Sequence, residues 1–166
     1  MKKIILSIAL LVVTTLSFSQ GSLPKGSSQF NVGLGLSGWG VPIYAGFDFG
    51  VSPDITLGAE FSYRSYKENW TNTNYNHNII GISGNGNYHF NRALNIAPPF
   101  DFYAGLNIGF YSWSSPNGYT GTHASGLGLG AQVGGRYYFG KKAGINLEFG
   151  GGNAFSGGKF GLTFKL

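Results

Sequence analysis

The chain has 166 residues, of which 10% are charged, 16% are aromatic and 29 are glycine. An average soluble domain carries roughly 25% charged residues, so this composition argues against a protein kept in solution by a charged surface. The absence of cysteine excludes disulfides, thiolate metal sites, cysteine nucleophiles and a lipid anchor on cysteine. The formal charge of +5 includes no basic run able to follow a phosphate backbone, which argues against a nucleic-acid partner.

Residues 1–19 read as a secretory signal peptide. Lys2 and Lys3 precede an apolar Ile4–Val13 stretch, and Ser17-Phe18-Ser19 sets small residues at the cleavage positions. Cleavage leaves a mature chain from Gln20 with nine Lys+Arg against six Asp+Glu, a charge of +3. Residues 20–28 form an N-terminal extension, and residues 29–166 form one domain whose dominant signal is period-two alternation. Beyond the signal, no apolar run approaches the roughly 20 residues of a spanning helix.

In chain order, Phe30, Val32, Leu34 and Leu36 share one face, as do Ile43, Ala45, Phe47, Phe49 and Val51. After the turn Ser52-Pro53-Asp54 come Ile55, Leu57, Ala59, Phe61 and Tyr63. Residues 65–76 (SYKENWTNTNYN) read as a long polar loop. Ile80, Ile82, Tyr88 and Phe90 resume the pattern, and residues 91–99 form a connector. Phe100 to Phe110 give the fifth strand, residues 112–122 a second long loop, and Leu127 to Phe139 the sixth strand. Gly140 to Ala143 form a tight turn before Ile145, Leu147 and Phe149; residues 151–157 are a loop, and Phe160 to Leu166 close the chain. These are eight up-and-down strands, most of a length that crosses a bilayer when tilted.

The two faces decide the environment. One is Leu, Ile, Val, Phe and Ala; the other is Gly, Ser and Asn with Asp48, Glu60, Arg64, Asn107, Gln132, Arg136 and Glu148. A soluble barrel with the apolar face inward would crowd a narrow lumen and leave an exterior of Gly and Asn. The inverse arrangement, a transmembrane barrel with a polar, side-chain-filled interior, accommodates every strand. Its inward charges call for opposite-sign partners. Pairing of Gly140 with Gly144 would set Arg136 opposite Glu148, a predicted salt bridge whose loss in Glu148→Ala lowers thermal stability. Aromatics gather by end: Phe30, Phe49, Phe90, Phe100, Phe102, Phe139 and Phe164 at one, and Trp39, Tyr63, Phe110 and Trp113 at the other, the pattern of two interfacial girdles.

Residues 29–166, and most sharply 126–150 (GLGLGAQVGGRYYFGKKAGINLEFG) with the final strand, resemble the small outer-membrane β-barrel family of Gram-negative bacteria. That family includes outer-membrane protein X and the membrane domain of outer-membrane protein A. The resemblance implies an integral outer-membrane location, contact with membrane lipid and lipopolysaccharide, a monomeric state and no cofactor. It also implies that Lys159, Gly161, Phe164 and Leu166 carry the signal read by the barrel-insertion machinery, Leu166 standing where the family usually ends in Phe.

The barrel hosts many functions. A structural or surface-interaction role points to Tyr66, Trp70, Tyr75, Trp113 and Tyr119 among the polar loop residues, as contacts for an extracellular ligand or protein or as interface anchors. A non-catalytic protein is the reading adopted. The enzymatic alternative starts from His123-Ala124-Ser125, which resembles the His-x-Ser of outer-membrane lipid A deacylases; the acid expected about a dozen residues downstream is replaced by Tyr137. A narrow solute pore is a further alternative. Three scattered histidines with no acidic cluster argue against a metal site.

Overall fold

The computed structural model describes residues 22–121, 125–152 and 156–166; the signal-peptide reading of residues 1–19 and His123 lie outside them. Eight strands follow in order: β1 (Ser28–Ser37), β2 (Ile43–Ser52), β3 (Ile55–Trp70), β4 (Thr73–His89), β5 (Phe100–Ser114), β6 (Gly126–Tyr138), β7 (Ala143–Gly152) and β8 (Gly157–Lys165). Each is antiparallel to its neighbour, and β1 pairs with β8 from Gln29↔Lys165 to Ser37↔Gly157, closing the barrel. Closure leaves no open edge through the body of the sheet.

The alternation assigns the faces. Apolar side chains from all strands stand exposed on the outside, Leu106 at 70% and Leu127 at 74%. The buried set is dominated by polar groups, among them Gln29, Asn31, Asp48, Arg64, Asp101, Gln132 and Arg136. This inversion of the usual globular arrangement is that of a transmembrane barrel.

Three details correct the expectations from sequence. First, residues 65–76 are not a loop. β3 and β4 run on to Trp70↔Thr73, joined by Thr71 (φ 49°) and Asn72 (φ 62°), the left-handed pair of a tight hairpin turn. The stretch is polar because it forms a hairpin beyond the apolar band. Second, the region expected to be the loop 112–122 begins later, since β5 continues to Ser114.

Third, the β6–β7 register differs by two residues from that assumed. Tyr138 pairs with Gly144, which sets Arg136 beside Asn146 and Gly134 beside Glu148. A shift of two keeps every side chain on its own face, so alternation cannot detect it. In the observed register Gly144 is closely packed: a Cβ there would lie 2.9 Å from the Tyr138 ring and 2.6 Å from the Tyr137 carbonyl oxygen.

The N-terminal extension is packed rather than loose from residue 22 onward. Leu23 is 1% exposed. Gly26 N–H donates to the Gly50 carbonyl at 2.7 Å, and Gly50 N–H donates to Ser27 at 3.0 Å. Gly50 is required for this seat, because a Cβ would stand 2.1 Å from the Pro24 oxygen.

Candidate functional site

The lumen is a stack of linked polar side chains. Nearest the termini, Arg136 on β6 donates to Asp48 on β2 at 2.7 Å and to Asp101 on β5 at 3.2 Å. Its guanidinium lies 4.4 Å from the Tyr103 ring centroid. The same Asp48 oxygen accepts from Gln29 and Asn31, while the Tyr138 hydroxyl donates to Gln29 at 2.6 Å. Asp101 holds His89 Nδ1 at 2.7 Å, and His89 Nε2 lies 3.0 Å from Thr56 Oγ1. That carboxylate–imidazole–hydroxyl order is the order of a nucleophilic triad. Thr56 and Asp101 are 0% exposed and His89 1%, so the chain of bonds is a structural brace.

A second layer centres on Lys159 of β8. Its ammonium donates to both Glu60 oxygens at 2.8 and 2.9 Å and lies 3.0 Å from Glu148. Glu148 also accepts from the Tyr103 hydroxyl at 2.9 Å. The sequence-based Arg136–Glu148 bridge is thus replaced by Arg136–Asp48/Asp101 and Lys159–Glu60/Glu148. Asn107 donates to Gln132, which donates to Asn87 at 2.8 Å. Nearer the long hairpin, Arg64 donates to Ser37 at 3.0 Å.

The seven polar residues singled out from sequence all line this stack. The alternation also carried Asp101, His89, Tyr44 and Tyr103 on the inward face without marking them as partners. Of the residues implied as the insertion signal, Lys159 and Gly161 face inward and Phe164 and Leu166 stand outside. A Cβ at Gly161 would come 2.5 Å from the Tyr44 hydroxyl.

At the far end the protruding hairpin meets the segment after β5. Tyr66, Glu68, Trp70, Tyr75 and His77 occupy the inward-facing positions of β3 and β4. The Tyr119 ring packs against His77 at 4.5 Å, Tyr75 at 5.3 Å and Trp70 at 6.0 Å. Its hydroxyl donates to Glu68 at 2.7 Å, and the Tyr75 hydroxyl donates to the Gly118 carbonyl at 3.1 Å. His77 Nδ1 lies 2.9 Å from Ser115 Oγ. Trp113 points inward and meets Trp39 at 5.4 Å and Tyr66 at 6.5 Å. The Tyr119 phenol is pushed up to about 12, first by desolvation and then by the Glu68 carboxylate. Four of the five aromatics singled out from sequence are therefore half-buried in one another; Trp70 is 40% exposed. The outer face of the hairpin presents Lys67, Asn69, Asn74 and Asn76. Ser125 Oγ accepts the Trp113 backbone N–H at 2.9 Å.

No family model and no curated protein matches the chain. Solved structures do. The N-terminal β-barrel domain of Pseudomonas aeruginosa OprF aligns with a TM-score of 0.65 at 12% identity, covering 87% of this chain and all of that one. Ail, the attachment invasion locus protein of Yersinia pestis, crystallised with the heparin analogue sucrose octasulfate, gives 0.56 at 11%, covering 86% and 99%. Neisserial surface protein A gives 0.55 at 12%, covering 84% and 95%. With its apolar exterior, hydrogen-bonded polar lumen and closed eight-strand register, the chain has the fold of the small outer-membrane β-barrels.

Proposed function

We propose that this is a non-catalytic integral outer-membrane protein, exported by its signal peptide and inserted as a monomer, which presents the β3–β4 hairpin at the cell surface. The observation that carries this reading is the division of labour along the barrel axis. The body is braced through its centre by ion pairs, while among the described residues β3 and β4 extend well past the pairing of their neighbours. Two lumenal cavities on either side of Lys159 have volumes of about 20 Å³, room for roughly one water each, which favours a plug over a diffusion pore. Ser125 is engaged as a hydrogen-bond acceptor for Trp113, which favours a structural serine over a nucleophile. On the outer face of the hairpin, the amide side chains of Asn69, Asn74 and Asn76 suit hydrogen bonding to a polyhydroxyl ligand such as a surface carbohydrate or the lipopolysaccharide core, since each amide both donates and accepts.

An epitope inserted between Thr71 and Asn72 tests the display. Antibody labelling of intact cells, with heat-modifiable migration on a denaturing gel, is the expected result; labelling only after lysis would overturn it. Mass spectrometry of lipid A on expression tests the absence of catalysis, and loss of an acyl chain that depends on Ser125 would overturn that part.

A further inference from the structure

The outer surface of the barrel is not uniformly ridged. On β6 the outward series Val133, Gly135, Tyr137 lacks a side chain at its centre, and Gly135 lies between Phe102 on β5 and Leu147 on β7. A groove of about 620 Å³ opens there. Phe100 and Phe102 form one wall, their rings nearly parallel at 4°, and Tyr137 packs against Phe100 at 5.2 Å. A Cβ at Gly135 would touch the Phe102 ring at 3.0 Å, so the glycine keeps the floor open.

The groove ends at the β6–β7 turn. Gly135 stands four residues above Phe139; at about 3.4 Å per residue and a tilt near 40° this is roughly 10 Å of depth, close to half of the apolar band. The turn below carries two adjacent exposed lysines, Lys141 and Lys142. No acidic residue occurs between Val133 and Leu147, and the nearby carboxylates Asp101 and Glu148 are directed into the lumen, on Arg136 and Lys159. A second apolar groove of about 600 Å³ crosses β8, β1 and β2. Its lining carries no charged side chain, and Lys165, beyond it on β8, is turned inward with its ammonium 3.8 Å from the Tyr138 ring centroid. Of these two grooves, the first combines a leaflet-deep apolar slot with a strand turn that presents paired cations at its foot.

We propose that this groove binds one anionic glycerophospholipid of the leaflet facing the termini, an acyl chain lying on Gly135 between Phe102 and Leu147 and the phosphate meeting Lys141 and Lys142. The proposal rests on the transmembrane reading above. The apolar slot supplies affinity for any acyl chain; the two lysines supply headgroup selection, since a cation at a membrane surface favours anionic lipid and two act together.

The test is native mass spectrometry of the refolded barrel in neutral detergent, after heat-modifiable migration has verified folding. Phosphatidylglycerol, phosphatidylcholine, lipopolysaccharide and inorganic phosphate are titrated separately. Phosphatidylglycerol is expected to bind roughly tenfold or more tightly than phosphatidylcholine, from the contribution of two surface lysines. The K141Q/K142Q variant, changed only in a turn, should erase that preference while retaining residual binding of both lipids. Gly135→Leu should weaken both lipids, whereas Ala45→Phe in the second groove should leave them unchanged. Equal binding of the two phospholipids, an unaltered preference in K141Q/K142Q, stronger binding of lipopolysaccharide, or full competition by inorganic phosphate would each overturn the proposal. Failure of the transmembrane reading shows separately, as a barrel that does not insert into lipid vesicles.

Discussion

Arg136 on β6 and Asp48 on β2 meet across the lumen at 2.7 Å, although 88 residues separate them in the chain. Both are almost fully buried, and Asp101 completes the arrangement on the other guanidinium nitrogen. Removing the cation alone strands two carboxylates without a counter-charge. Breaking a buried pair in this way costs about 3–5 kcal/mol. Arg136→Met is therefore expected to lower the urea midpoint of the folded band on unheated gels by that equivalent. The Asp54–Arg92 pair, whose guanidinium side is 68% exposed, serves as comparison, with Asp54→Asn costing at most about 1 kcal/mol.

Lys159 sits between two acids, so its loss is expected to cost more than loss of either one. Lys159→Met leaves Glu60 and Glu148 facing each other uncompensated, whereas Glu148→Gln keeps an acceptor for the Tyr103 hydroxyl and the Lys159–Glu60 pair. A double-mutant cycle on Lys159→Met and Glu148→Gln should return a coupling within the 0.5–3 kcal/mol range of contacting residues. Additive effects would mean that the ammonium does not engage Glu148.

Gly50 pairs with Thr56 near the end of the β2–β3 ladder, and any side chain there meets Pro24. Gly50→Val should release the segment containing Leu23 while the barrel stays closed. Trypsin cleavage after the exposed Lys25 should then accelerate several-fold, with heat-modifiable migration retained. An unchanged cleavage rate would show that the segment does not depend on this seat.

The hairpin turn offers a stabilising change. Thr71 is β-branched and holds a positive φ of 49°, a conformation that asparagine and glycine accept more readily. Thr71→Asn should raise stability by about 0.5–1 kcal/mol, read as a higher protease concentration for half-cleavage of the hairpin.

Tyr119 gives a pH signature. Its phenol is raised from the ordinary 10 to about 12, so the contribution of its folded-state surroundings is fully present below pH 10 and is lost as pH rises through about 12. The difference in phenolate absorbance between the wild type and Tyr119→Phe should titrate near 12. Glu68→Gln should move that midpoint down; a midpoint at 10 in the wild type would show that Tyr119 is not packed against the hairpin.

Strand number, face assignment and the location of the inward charges were legible in the sequence because a period of two is imposed by the pleat itself. Gln132, Arg136 and Glu148 could be assigned to the lumen from parity alone. Which acid meets which base could not. Parity is blind to a two-residue shift, and partners across the lumen, such as Arg136 with Asp48, share no local pattern. The 65–76 hairpin is not legible as strand because its outer face is polar and its inner face mixes aromatic residues with Glu68 and Thr73, so the aliphatic alternation of its neighbours is lost. Tyr66 and Trp70 do mark one of its faces, four residues apart, and the two-residue turn reverses the parity so that Tyr75, five residues on, falls on the same face.

The order of residues along the chain has a bearing on how the barrel is completed. Three lumenal carboxylates, Asp48, Glu60 and Asp101, precede Arg136 in the chain, and Lys159 lies on the last strand. Strands β1–β5 by themselves therefore set Asp48, Glu60 and Asp101 against Arg64 alone among the lumenal ion-forming residues named above, an inward surplus of negative charge. The final strand brings both the backbone partner for β1 and the counter-ion for Glu60, 99 residues upstream. The last strand thus supplies both geometric closure and the counter-charge of Glu60 and Glu148, so a chain lacking β8 is penalised twice.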